Sequence, residues 1–298
     1  VLGRKVIYVA ELELDDVDED TAARRVALAV KGSGLNLSRV QAGRVNLQAG
    51  SLGIVRIHAE RLLQINRCEG ITLATLPTNS VAGPGSTVGT VKVIPFAVPE
   101  GSLRSAERIA GDGGAIISLQ PLVPKGVSLI FTGSSTAEER VVKNFEPPLR
   151  NRIEKLGSEV RTVDFIRLED EQGEARLAEL LAQRVSGRMD LIVLAGETAI
   201  MDRYDIAPRA IECAGGEVTC FGAPVDPGNL LMLAYLGEVP VLGAPGCARS
   251  PKANVIDWVL PRLLAGDRLV REDLLVLGHG GLLEDTLLRP APREKVGS

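Results

Sequence analysis

The stretch VSLIFTGSSTAEERVVKNFEPPLRNRIEKLG, residues 127–157, decides the fold. Its first residues are apolar without alternation. That is the pattern of a strand buried on both faces. A short turn with Gly133 follows, then hydroxyl residues fit to cap a helix, then an amphipathic run closed by Gly157. Pro147 and Pro148 inside that run predict a kink.

The same rhythm continues toward the C-terminus. EVRTVDFIRL (159–168), MDLIVLAG (189–196), EVTCFG (217–222) and VPVLGAPG (239–246) read as strands. QGEARLAELLAQRVSG (172–187), DIAPRAIECAGG (205–216) and SPKANVIDWVLPRLLAG (250–266) read as helices, and LLMLAYLGEVPV (230–241) as a hairpin-like pass. Apolar strands alternating with amphipathic helices predict an α/β fold: a doubly wound, mostly parallel sheet with helices on both faces.

The chain upstream has a different texture. RKVIYVAEL (4–12) reads as a strand and DTAARRVALAV (20–30) as a helix capped by Asp20. GRVNLQAGSLGIVRI (43–57) reads as two strands around Gly50–Ser51. HAERLLQINRC (58–68) and SLRSAERIAG (102–111) read as helices, with strands at ITLATL (71–76) and STVGTVKVIPFAV (86–98). Pro95 sets that last strand at an edge or a kink. QPLVPKG (120–126) marks a boundary. The expected organisation is a small α+β domain over 1–122, the α/β domain over 123–275, and a tail or linker over 276–298.

Composition narrows the function. The 298 residues carry a net charge of -4 without a Lys/Arg block, which argues against a nucleic-acid footprint. No apolar run is long enough for a membrane span and no signal peptide is evident. Four cysteines without metal spacing predict reduced thiols and a cytoplasmic protein. The acidic run ELELDDVDED (11–20) reads as a solvated segment leading into a helix. The chain opens on Val, which predicts a natural start further upstream, and the Pro-rich end RPAPREKVGS reads as a linker.

In a doubly wound sheet, ligands bind at the carboxyl ends of the strands. After the first strand, Thr132, Gly133, Ser134 and Ser135 precede a helix N-terminus suited to an anion. After the third come Gly196, Glu197 and Thr198, then Asp202 and Asp205 as candidate catalytic carboxylates. Asp205 has a plain alternative as a helix cap, with Pro208 in the first helical turn. A carboxylate there is also a candidate Mg2+ ligand against a bound phosphate. Pro227–Gly228 and Pro245–Gly246 form two further loops at the sheet mouth. Arg249 offers a charged hydrogen bond, and Ser250–Pro251 would start the last helix. A P-loop, a dinucleotide fingerprint and a nucleophile elbow are all missing from the sequence.

As a set, these loops resemble the molybdopterin-binding domain of molybdenum-cofactor biosynthesis proteins, the adenylyltransferases and molybdate-inserting enzymes. FTGSS matches that family's first loop, AGETAIMDRYDIAP its Gly-rich loop with Asp205 as the Asp, DPGN its Pro-Gly turn, and GAPGCARSP its last loop. The resemblance implies molybdopterin as ligand, Mg2+ at Asp205, self-association, and nucleotidyl transfer or molybdate insertion as the chemistry. It further implies other molybdenum-cofactor enzymes, or a fused C-terminal nucleotidyltransferase domain, as partners. The sequence departs from the family at Glu197 and Ala199, which stand in place of glycines. It departs again at Asn229, where Lys is frequent, and at Cys247–Ala248, where Asn-Pro is usual. An added acid and a missing Lys disfavour a polyphosphate. They favour the alternative of a non-catalytic carrier. A nucleotide pyrophosphatase on a related fold is the remaining alternative.

Overall fold

The computed structural model describes residues 11–170 and 172–283. Most of the first strand expected from the sequence, and the C-terminal tail beyond 283, lie outside them. The chain divides between Leu122 and Val123 into two compact units.

The first unit runs β1 (Asp16–Asp18), α1 (Glu19–Val30), β2 (Leu35–Leu37), β3 (Arg44–Ala49), β4 (Gly53–Ile57), α2 (Ala59–Asn66), β5 (Ile71–Thr75), β6 (Val81–Ala82), β7 (Thr87–Val93), β8 (Ala97–Pro99), α3 (Glu100–Gly111) and β9 (Ile117–Pro121). Three antiparallel sheets result, in the orders β2-β3-β7-β5, β6-β4-β9 and β1-β8. The face of α1 made by Ala22, Ala23, Val26, Ala27 and Val30 is fully buried. Small residues at helical spacing let this helix lie close to Val45, Leu47, Val91 and Val93 in one apolar core.

Two sequence expectations are corrected here. The α1 cap is Asp18, whose carboxylate accepts from the amides of Asp20 and Thr21, because the helix begins one residue before Asp20. The segment around Pro95 is two strands, since Pro95 cannot continue the ladder. The longer of them, β7, lies inside its sheet between β3 and β5.

Helices α1 and α3 are joined by Arg25, which forks to Glu100 at 2.7 Å and to Glu107 at 2.8 Å. Hydrogen bonds from Arg25, then from Arg104, hold the Glu100 carboxyl down to about 2. The folded value lies below the unfolded one, so this contribution to stability is present above the ordinary glutamate range and fades as pH falls toward 2. Urea midpoints should therefore differ between wild type and Arg25→Ala at pH 5, and the gap should narrow steadily as pH is lowered. A gap independent of pH would contradict this account.

The second unit runs β10 (Gly126–Gly133), α4 (Glu138–Lys155), β11 (Glu159–Arg167), α5 (Gly173–Ser186), β12 (Leu191–Gly196), α6 (Ile206–Cys213), β13 (Glu217–Phe221), β14 (Met232–Leu236), β15 (Val239–Gly243), α7 (Ile256–Leu264) and α8 (Arg271–Leu275). One six-stranded sheet has the order β11-β10-β12-β15-β14-β13. Pairings β10–β11, β10–β12 and β12–β15 are parallel, and β14 alone runs against the others. This is the α/β, mostly parallel sheet expected from the apolar strand pattern. Strand side chains alternate between faces. Ile130 packs with Leu177 and Leu181 of α5 and with Ala210 and Ile211 of α6. The next residue, Phe131, meets Phe145 of α4, with ring centroids 6.3 Å apart. Helices thus cover both faces. The chain leaves β10 for β11 on one side of it, and β12 lies on the other, which makes the carboxyl ends of β10 and β12 the topological switch point.

Helix α4 continues through Pro147 and Pro148. Helix α7 begins at Ile256, so Ser250 and Pro251 do not start it. Residues 246–249 form a 3-10 turn instead, and Ser250 ends that turn. No helix among the described residues is long and apolar enough to cross a membrane.

Candidate functional site

Loops leaving β10, β11, β12, β13 and β15 meet at one edge of the sheet. At its centre, β10 and β12 stay paired to the end of β12, Thr132 opposite Gly196. The amide of Glu197 then donates to the Thr132 carbonyl at 2.8 Å. This close approach depends on two glycines. A Cβ on Gly196 would stand 2.7 Å from the Thr132 hydroxyl, and one on Gly133 would stand 2.9 Å from the Glu197 Cβ. Thr132 itself is buried.

The amides and hydroxyls of Ser134 and Ser135 both face carboxylates. Glu197 Oε2 accepts from the Ser134 amide at 3.0 Å and from its hydroxyl at 2.8 Å. Glu169 Oε1 accepts from the Ser135 amide at 2.9 Å and from its hydroxyl at 3.0 Å. Arg140, in the first turn of α4, donates from Nη2 to Glu197 Oε1 at 2.7 Å. The two hydrogen bonds from Ser134, amide first, hold the Glu197 carboxyl below its ordinary range against the opposing effect of burial, and Arg140 adds to this. Positions that the sequence marks as anion-binding are thus engaged by the protein's own acids.

A cavity of about 70 Å³ opens beside this network, lined by Arg140, Val141, Asn144, Phe145, Gly196, Glu197 and Arg249. Arg249 comes from the loop after β15. Its Nε donates to the Gly246 carbonyl at 2.9 Å, and its guanidinium lies 5.4 Å from the Phe145 ring centroid. Two guanidinium groups from separate elements therefore border one small cavity.

Other residues marked from the sequence serve the scaffold. The Asp205 carboxylate accepts from the amides of Met201 at 2.6 Å and Asp202 at 3.0 Å, and Asp202 accepts from the Tyr204 amide. These contacts close the loop ahead of α6, in which Pro208 is the third residue and has no amide to leave unpaired. Among the described residues no group of three or more Asp, Glu, His or Cys side chains can hold a metal ion. Both of the Asp205 contacts fall on Oδ2 of the same carboxylate that the family resemblance implies as a Mg2+ ligand. Thr198 is exposed at the start of the same loop. Pro227 and Gly228 pack against the entry to α7: Gly228 has φ +135, and a Cβ there would lie 2.4 Å from Val255 Cγ1. Pro245 leads into the 3-10 turn that begins at Gly246. The Ser250 hydroxyl accepts from the Lys252 amide. Burial pushes the Cys247 thiol up, which keeps it neutral.

Sequence reasoning missed the residue that shapes the last loop. Arg152 of α4 is buried and donates to the carbonyls of Ala248, Ser250 and Lys252 and to the Asp257 carboxylate. The signal was present in the spacing. Val141, Phe145, Leu149 and Ile153 form the apolar stripe of α4, and Arg152 falls within it. Residues 278–283 return to the same edge, where Asp226 and Gly281 share a backbone hydrogen bond and Leu283 donates to Asp226.

Neither a family model nor a curated protein sequence matches the chain. Among solved structures, the molybdopterin biosynthesis MoeA protein from Pyrococcus horikosii is similar at 16% identity, over 84% of this chain and 80% of that one, with a TM-score of 0.33. The molybdopterin biosynthesis enzyme MoaB from Thermus thermophilus is similar at 15% identity, over 48% of this chain and 98% of that one, with a TM-score of 0.34. Values this low equate no residue of this chain with one of theirs.

Proposed function

We propose that the second unit binds a pterin phosphate, molybdopterin, and acts as a non-catalytic carrier in molybdenum-cofactor biosynthesis. The observation that carries the ligand class is the convergence of Arg140 and Arg249 on one cavity at the β10/β12 switch point. The pterin itself rests on the four loop motifs taken together. In this reading the ring system lies over the carboxyl edge of the sheet, beside Gly196 and Thr198. The phosphate is received from the side of Thr132, Gly133, Ser134 and Ser135. Pro227, Gly228, Pro245, Gly246 and Ser250 hold the surrounding loops in shape. The protein would be cytoplasmic and self-associating, and would pass the pterin to other molybdenum-cofactor enzymes.

A carrier is favoured over a transferase because the Asp205 carboxylate already closes its own loop through two amides. Calorimetric titration under anaerobic conditions separates the two. The expected result is binding of molybdopterin without binding of ATP or CTP in the presence of Mg2+. Asp205→Ala should leave pterin affinity within a few-fold while costing about 1 kcal/mol of stability, the usual net worth of an intramolecular hydrogen bond. Absence of pterin binding by the wild type would end this reading. Nucleotide binding that disappears in Asp205→Ala would restore the transferase.

A further inference from the structure

We propose that the cavity between α4 and the loop after β15 is a phosphomonoester subsite that Glu197 keeps closed as an internal anion. This rests on the reading above that an anionic ligand lies at the switch point, and it adds the group that regulates entry. Arg140 and Arg249 both border the cavity, yet only Arg140 has a carboxylate partner there. Arg249 is held by the Gly246 carbonyl and the Phe145 ring, and no carboxylate pairs with it among the described residues. The side chain that lies between the loops is Glu197. It takes the Ser134 amide, the Ser134 hydroxyl and one N–H of Arg140 together. A phosphate group needs the same kinds of donor: an amide, a hydroxyl and guanidinium groups.

The carboxylate and a phosphate dianion cannot share these donors. Both are negative, and at such short range their repulsion is large. Ligand entry therefore requires Glu197 to swing outward, and its position at the exposed mouth of the loop permits that. The site has two states, and its apparent affinity is reduced by the fraction of molecules in which Glu197 has moved away. The cavity is small, so it takes the phosphate group alone. Asn144, also on its wall, offers an amide to a phosphate oxygen or to the ester oxygen.

The test is calorimetric titration of the full chain with phenyl phosphate and with inorganic phosphate. Glu197→Gln keeps the side-chain shape and removes the charge. It should bind phenyl phosphate about tenfold tighter than wild type, the gain expected when a closed state holding nine molecules in ten is abolished. Arg249→Ala in the Glu197→Gln background should erase that gain. Glu138→Gln, which removes an acid paired with Arg167 outside the cavity, controls for overall charge and should change little. The proposal is overturned by any of four results: no tightening in Glu197→Gln, an equal gain in Glu138→Gln, a gain that survives loss of Arg249, or binding of inorganic phosphate but not of the ester. Should Glu197→Gln fail to fold, wild type carries the test by NMR. Saturating phenyl phosphate must shift the Ser134 amide and the Arg140 side-chain resonances, and unmoved resonances would refute the exchange. Molybdopterin titration separates the two readings. Pterin binding with no effect of Glu197→Gln removes the gate alone. Phenyl phosphate binding without pterin binding removes the pterin alone.

Discussion

Arg152→Ala should lower the stability of the protein by about 3 kcal/mol, the cost of stranding carbonyls that a buried guanidinium holds. Arg152 is 8% exposed. Its guanidinium donates to the carboxylate of Asp257 at 2.9 Å and to the carbonyls of Ser250 at 2.8 Å and Lys252 at 3.0 Å. Truncation leaves the Ala248 and Ser250 carbonyls without their side-chain donor, while Asp257 and the Lys252 carbonyl keep a hydrogen bond from Asn254, and each buried polar group so stranded costs free energy. The loss is local in origin, because Arg152 and the buried Asn254 share the anchoring of the loop from Gly246 to Val255. Arg249, borne on that loop, should then leave its place against Phe145. Denaturant unfolding measures the first effect. The second is read as weaker binding of phenyl phosphate in an Arg152→Ala/Glu197→Gln double variant than in Glu197→Gln alone. Arg152→Lys should recover only part of the stability, since one ammonium cannot reach three carbonyls and a carboxylate in the plane of a guanidinium. A stable Arg152→Ala protein would mean that the loop is held by its prolines and its 3-10 turn.

That residue also marks where the sequence stops being legible. Strands buried on both faces write themselves as unbroken apolar runs, so β10, β12 and the hairpin of β14 and β15 could be read directly. Helices α4, α5 and α6 followed from their apolar spacing and from closing glycines such as Gly157 and Gly215, while the short α8 was not read. Short edge elements such as β2, β6 and β9 were not legible, because so few residues carry no period. The start of α7 was misplaced because Ser250–Pro251 has the composition of a helix entry, while the actual entry at Ile256 follows Asn254, whose side chain accepts from the Ile256 amide. For the site, the glycines and the switch-point loops could be found from position alone. The partners of Ser134 and Ser135 could not. Glu197 and Glu169 are 63 and 34 residues distant from them in the chain, and only the parallel pairing of β10 with its two neighbours brings the three loops together. Sequence shows which loops meet, but not whether a ligand or a side chain satisfies them.

Gly228→Ala is the other substitution expected to cost most, about 4 kcal/mol when backbone strain and overpacking are taken together. Two independent conditions fail at once. Gly228 has φ +135, a conformation that residues with a Cβ rarely adopt. A Cβ would also lie 2.4 Å from Val255 Cγ1 and 2.6 Å from Val255 Cβ. Val255 is fully buried at the entry to α7, and its amide donates to the Pro227 carbonyl at 3.3 Å. It cannot retreat without moving the helix behind it. Gly237 provides the comparison within the same sheet. Its φ is also positive, at +59, but open space surrounds the position of its missing Cβ. Gly237→Ala should therefore show the strain alone, roughly 1 kcal/mol, a value ordinary for a single residue in the left-handed region. Thermal unfolding of the two variants side by side gives the excess loss at Gly228, which joins the contact with Val255 to the greater strain of its φ of +135. Equal losses would show that backbone conformation accounts for both glycines and that the Pro-Gly loop does not brace α7. A much larger loss at Gly228 would mean that this turn, which reads from sequence as part of a ligand loop, is first a spacer that sets where the last helix begins.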